Sequence, residues 1–154
     1  MANFFLDSSR VVKRYVLETG SEWVSRISDP DSGQTIVIAR ITIAEVVAAF
    51  WRKVREGAIP AQEAKTLTEE FMEHVRTQYF VLEVTPEVIN EAVRLIEQHR
   101  LRGYDAVQLA SAILLHRRRQ QLGLPPLIFV SADEDLLAAA QAEGLVTENP
   151  NLKE

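Results

Sequence analysis

Thr35-Ile36-Val37-Ile38-Ala39-Arg40-Ile41 is β-branched and apolar almost throughout, and from Thr42 the pattern turns helical and runs to about Glu56. A strand without polar alternation is buried on both faces, as in parallel sheets covered by helices. The same change recurs along the chain. Asn3 to Leu6 reads as a short buried strand. A helix follows with Val11, Val12, Tyr15 and Val16 on one side and Arg10, Lys13 and Arg14 on the other, broken at Gly20. Ser21 to Ile27 predicts a second short helix, and Asp29-Pro30-Asp31-Ser32-Gly33 a turn. Gly57 ends the helix after Thr42, and Pro60 opens another that reaches roughly Gln78. Phe80 to Val84 is strand-like. Pro86 lies in the first turn of a helix whose apolar face is Val88, Ala92, Leu95 and Ile96. Arg100 to Tyr104 reads as a loop and Asp105 as the start of a helix. Leu127 to Val130 is a strand, Asp133 to Ala142 a helix, and Leu145-Val146 a closing strand. Strands alternating with helices predict an α/β fold with a parallel sheet between helical layers.

The chain has 154 residues, 47% hydrophobic and 25% charged, which suits one domain over residues 1–154. It has no cysteine, which excludes disulfides and thiolate metal sites. No apolar run approaches membrane-spanning length and no basic-prefixed signal is present, so a cytoplasmic location is expected. The formal net charge of -5 argues against holding nucleic acid by bulk charge, though not against acting on it through a bound cation.

Four segments place a carboxylate where a strand or loop gives way to a helix: Phe4-Phe5-Leu6-Asp7-Ser8-Ser9, Ile41-Thr42-Ile43-Ala44-Glu45, Gly103-Tyr104-Asp105-Ala106 and Phe129-Val130-Ser131-Ala132-Asp133. In open parallel sheets, ligands bind beyond the carboxyl ends of the strands, at the switch in strand order. Asp7 and Asp133 follow the first and fourth strands, which flank that switch in the common arrangement. Carboxylates gathered there must hold protons or bind cations. Each also has a structural alternative. Asp7 can cap its helix, Thr42 to Glu45 and Ser131 to Glu134 fit capping boxes, and Asp105 to Gln108 fits the same reciprocal pattern. His74, His99 and His116 read as residues of polar helix faces without ligand spacing. Arg117-Arg118-Arg119 reads as a solvated helix end or, alternatively, a holder of phosphate.

Taken together, these motifs resemble a PIN domain, and within that family the VapC-like toxins of type II toxin–antitoxin pairs. Phe5-Leu6-Asp7-Ser8-Ser9, Thr42-Ile43-Ala44-Glu45-Val46, Leu101-Arg102-Gly103-Tyr104-Asp105-Ala106-Val107-Gln108-Leu109-Ala110 and Val130-Ser131-Ala132-Asp133 are similar to the family's successive acidic motifs, in order and spacing. The resemblance implies a three-layer α/β/α sandwich with a central parallel sheet of about five strands. It implies a Mg2+- or Mn2+-dependent ribonuclease that hydrolyses RNA phosphodiester bonds, forms a homodimer and is inhibited by a VapB-like antitoxin. Asp7, Glu45, Asp105 and Asp133 carry over as the metal-binding, catalytic acids. Ser8, Ser131 and Asp135 are candidates for supporting polar groups. Val11, Tyr15, Phe50 and Trp51 are candidates for the walls of an antitoxin groove. Two alternatives keep the scaffold: an RNA-processing nuclease outside a toxin–antitoxin pair, and a catalytically silent protein-binding module. A haloacid-dehalogenase-type phosphotransferase is disfavoured because Asp7-Ser8-Ser9 lacks its D-x-D pair. A receiver domain is disfavoured because Val84-Thr85-Pro86 stands where its phosphorylated Asp belongs.

Overall fold

The structure, a computed structural model, describes residues 1–153. Five parallel strands form one sheet: β1 (Asn3–Leu6), β2 (Thr35–Ala39), β3 (Phe80–Leu82), β4 (Leu127–Val130) and β5 (Val146–Glu148). Their order is β3-β2-β1-β4-β5. The chain builds outward from β1 to β3, then returns to lay β4 against the other side of β1. The switch point is therefore the β1–β4 seam, where Phe4 pairs with Ile128 and Leu6 with Val130.

Among the described residues seven α-helices cover the two faces. On one side pack α1 (Ser8–Tyr15), α2 (Ser21–Ser28), α3 (Arg40–Arg55) and α4 (Ala61–Thr77), enclosing Phe4, Leu6, Ile36, Ile38, Phe50 and Phe71. On the other pack α5 (Pro86–Gln98), α6 (Gly103–Gln121) and α7 (Glu134–Ala142), enclosing Phe5, Val37, Phe129, Leu95 and Leu109. Alternate residues of β1 thus enter opposite cores, which is why Phe4, Phe5 and Leu6 are all apolar. The expected α/β/α sandwich is what forms. Among the described residues no helix is long and apolar enough to cross a membrane.

Several local expectations are corrected. β2 stops at Ala39 and α3 starts at Arg40, two residues before Thr42, so Thr42 is not a cap but a wholly buried residue of the first turn. β3 is three residues, ending at Leu82 rather than Val84. Lys13 lies in the buried face of α1, donating from Nζ to the Thr19 carbonyl, with Glu18 at 3.8 Å. Its long stem covers apolar surface while its head finds backbone and carboxylate partners. Ile96 faces solvent, because Val88, Ala92 and Leu95 already fill the inward face of α5. The histidines do not lie on free polar faces. His74 bonds Tyr15 at 2.7 Å, His99 bonds Glu143 at 2.9 Å, and His116 is buried.

Candidate active site

Asp7 directly follows β1. Its extended backbone makes it the N-cap of α1, and its Oδ1 accepts from the Arg10 backbone N–H at 3.1 Å. The capping role is real but does not explain the site, since Ser or Asn would cap as well in this buried place. Burial is the largest influence on the carboxyl, raising its pKa to about 6 from 3.8. Arg10 and a hydrogen bond from Ser131 oppose that rise, and the negative charge of Asp105 adds to it.

Glu45 stands in the second turn of α3, beside Asp7. Its pKa is raised, first by burial and then by the charges of Asp105 and Asp7, against a hydrogen bond with Tyr104. Its Oε1 is buried without a hydrogen-bond partner. A half-satisfied buried carboxylate is costly, so this oxygen is the clearest demand for a cation or proton at the rim.

Asp105 lies in the first turn of α6. That helix begins at Gly103 with Arg102 as N-cap, so the Asp105–Gln108 cap does not form. Asp105 instead pairs with Arg102 Nε at 3.2 Å, and Gln108 turns inward. Asp133 is itself the N-cap of α7, accepting from Leu136 N–H at 2.9 Å, while Ser131 Oγ accepts from the Asp133 N–H at 3.1 Å. The Ser131–Glu134 capping box is therefore absent. Asp133 is exposed and, with Asp105 and Asp135, lines a cleft of about 450 Å3.

Asp7, Glu45 and Asp105 thus feel one another's charge, while Asp133 shares a cleft with Asp105. Among the described residues no three acidic or histidine side chains are drawn together closely enough to hold a metal ion as they stand. Like charges without a counter-ion keep apart, and Arg10 and Arg102 partly neutralise two of them. The donor set is all oxygen, which suits a hard cation such as Mg2+ or Mn2+. The orphaned Glu45 Oε1 and the poorly solvated Asp7 fit that use.

A buried polar network holds the segments that carry these acids, and sequence reading missed it. Gln108 Nε2 donates to Thr42 Oγ1 at 2.8 Å and to Tyr104 Oη at 2.7 Å, and Ser8 Oγ bonds Tyr104 Oη. Thr42 and Gln108 are wholly buried. The network ties α1, α3 and α6 together one residue from Asp7, three from Glu45 and one from Asp105. The signal was available: Gln108 is the one long polar side chain in Ala106-Val107-Gln108-Leu109-Ala110-Ser111-Ala112-Ile113.

Other candidates fall elsewhere. Ser8 serves this network rather than an acid. Arg117 pairs with Glu91 at 3.2 Å and Arg119 Nε donates to the Pro125 carbonyl at 2.9 Å, so the arginine run ties α6 to its surroundings. Two of the expected groove walls are placed in the core instead: Val11 and Phe50 are wholly buried under α1. Tyr15, whose ring packs edge-on against Phe50 and Phe71, and Trp51 on α3 are both half-buried and keep an exposed edge.

Comparison with known proteins agrees with this fold. Residues 4–143 match the PIN domain. Ribonuclease VapC45 and Ribonuclease VapC49, both of Mycobacterium tuberculosis, are each 32% identical over 143 residues, 91% of this chain and 90% of theirs. Among solved structures, VapBC2 from Rickettsia felis, bound to a DNA fragment from its promoter, superposes with a TM-score of 0.62 at 11% identity, covering 96% of this chain and 98% of its own. The chain belongs to the PIN domain family, among its VapC-like members.

Proposed function

We propose that this protein is a divalent-metal-dependent endoribonuclease and the toxin of a type II toxin–antitoxin pair. What supports this reading is that Asp7, Glu45 and Asp105, from three distant segments, lie near enough to feel one another's charge, and that a buried carboxylate oxygen of Glu45 has no hydrogen-bond partner among the described residues. The similarity to proteins named as VapC ribonucleases supplies the substrate class. Asp7, Glu45 and Asp105 would hold Mg2+ or Mn2+, with Asp133 at the open side of the cleft and Asp135 beside it. When bound, the ion offsets charge on the scissile phosphate and acidifies the attacking water. The chain's own residues do the positioning. Ser131 fixes the Asp7 carboxylate, and the Gln108 network keeps Glu45 and Asp105 at the rim. Without a cation the acids repel a phosphodiester, so RNA approaches productively only when their charge is compensated.

A VapB-like antitoxin is the expected partner, with Trp51 among its contacts. The exposed stripe Ile89, Val93 and Ile96 along α5 suits a homodimer, and the cytoplasm suits a partner of RNA. The test is cleavage of RNA by purified protein with Mn2+, with chelator, and with Asp7→Asn. Cleavage with Mn2+, lost in the other two arms with circular dichroism unchanged, supports the assignment. Undiminished cleavage by the folded variant would defeat it.

A further inference from the structure

A groove runs from the acid centre along the seam between α1 and α3. Its inner part, about 130 Å3, is lined by Glu45 and Ser8, and its outer part, about 290 Å3, by Arg10 and Lys53. Ser9, Val12, Ala49 and Arg52 belong to both, so the two parts are continuous. Glu45, Ala49 and Arg52 repeat at helical spacing on one face of α3, which puts Arg52 roughly 10 Å along the axis from Glu45.

The charges in this groove are unusual for a chain with a net charge of -5. Arg52 and Lys53 have no ion-pair partner among the described residues. Arg10 lies 3.6 Å from Asp7, yet its Nε and Nη1 are buried without a hydrogen-bond acceptor. Two acids also line the outer part, Glu18 and Glu56. Glu18 is drawn toward Lys13 at 3.8 Å, as Arg10 is toward Asp7, and Arg52 and Lys53 against Glu56 leave the outer part with a net positive charge. The cations at the end of α3 do favour its dipole, but that role requires no particular face. Arg52 instead shares the face of Glu45 and opens into the same groove.

We propose that Arg10, Arg52 and Lys53 form a phosphate track that binds the backbone of single-stranded RNA beside the scissile bond. This rests on the ribonuclease reading above. Arginine forks match phosphate oxygens, and Arg10, which lines the outer part and lies 3.6 Å from Asp7, links the track to the acid centre. The track supplies the attraction that the acid cluster denies, so that substrate is drawn in by cations on one side and cut at carboxylates on the other. The residues act by positioning the strand; none is placed at the reacting atoms.

The test measures binding apart from cleavage. In the Asp7→Asn chain, fluorescence anisotropy of a labelled single-stranded RNA oligonucleotide is followed across a salt series, with and without Arg52→Ala/Lys53→Ala. The double substitution is expected to weaken binding roughly tenfold and to flatten the slope of log K against log salt by about 1.4, two phosphate contacts at about 0.7 each. In the chain that keeps Asp7, the same pair should raise KM for RNA roughly tenfold with kcat within about twofold, and Arg52→Lys/Lys53→Arg should restore both. An unchanged salt slope and KM, in variants with unaltered thermal unfolding, would overturn the track. So would loss of antitoxin binding alone, which would assign the groove to the protein partner. Absence of any RNA cleavage by the unsubstituted chain would refute the ribonuclease reading, whereas the anisotropy slope judges the track independently.

Discussion

Asp7→Asn should make the metal-free protein more stable while abolishing its activity. The Asp7 carboxyl is raised to about 6 from 3.8, chiefly by burial, so at neutral pH the fold carries an ionised group it would rather protonate. That gap corresponds to about 3 kcal/mol. Below 3.8 the group is protonated folded and unfolded, and no penalty exists. As pH rises from 3.8 the unfolded chain ionises first, so stability falls until the folded group also ionises near 6, and the full penalty persists above that. Asn keeps the cap to the Arg10 N–H, and the lost attraction of Arg10 is already contained in that gap, but its amide nitrogen cannot accept as a second carboxylate oxygen does, which offsets part of the gain. A net gain of about 1–2 kcal/mol remains, or roughly 3–6 °C for a chain of this size. The assay is thermal unfolding by circular dichroism with chelator, at pH 7.5 and pH 4. The variant should melt higher at pH 7.5, and its advantage should largely vanish at pH 4. With Mn2+ the order should reverse, since an ion at 100 times its Kd contributes about 2.7 kcal/mol to the chain that binds it. A variant that melts lower than the parent in chelator at pH 7.5, or a difference indifferent to pH, would refute the claim that Asp7 is held at a cost.

Three further outcomes follow from the same geometry. Mn2+-dependent stabilisation of the unsubstituted chain should grow from pH 5 to pH 7.5, because Asp7 and Glu45 must shed protons to bind it; differential scanning fluorimetry across that range reads the trend. Gln108→Leu should cost about 2 kcal/mol in urea unfolding, since it removes the amide that donates to both Thr42 and Tyr104 and leaves the Thr42 hydroxyl only Ser8 among the described residues, and should lower kcat more than it raises KM. Trp51→Ala should leave RNA cleavage intact while weakening capture of a co-expressed antitoxin, measured by pull-down and calorimetry.

The sheet was legible because its strands are short, apolar on both faces and punctuated by Pro and Gly, so that β1, β2 and β4 could be placed within a residue or two. Element boundaries at the acids were less so. Thr42-Ile43-Ala44-Glu45 has the letters of a capping box, yet α3 begins at Arg40, because Ala39 can end the strand and Thr42 gains more from the buried Gln108 amide than from a backbone amide. Lys13 and the histidines were misjudged for a related reason. Periodicity sorts residues by polarity, whereas burial of a long polar side chain depends on partners contributed by other elements, such as Thr19 for Lys13 and Glu143 for His99. The acids themselves were visible as a pattern. Their mutual coupling needed the strand order that lays β4 beside β1.

The position of Glu45 joins the stability and binding observations. Helix α3 carries at one end an acid with an unpaired buried oxygen, and at the other, on the same face, a cation with no ion-pair partner among the described residues. Folding alone would favour giving each of these groups a partner, since an unsatisfied buried carboxylate oxygen is costly. Leaving both open keeps two opposite, unsatisfied charges at fixed separation on a rigid helix. That arrangement complements a phosphodiester strand together with a divalent cation, and neither of them alone. A docking surface for a protein would need no such separation, which is why the acid and the cation on α3 are better understood as parts of one RNA-handling site than as independent surface charges.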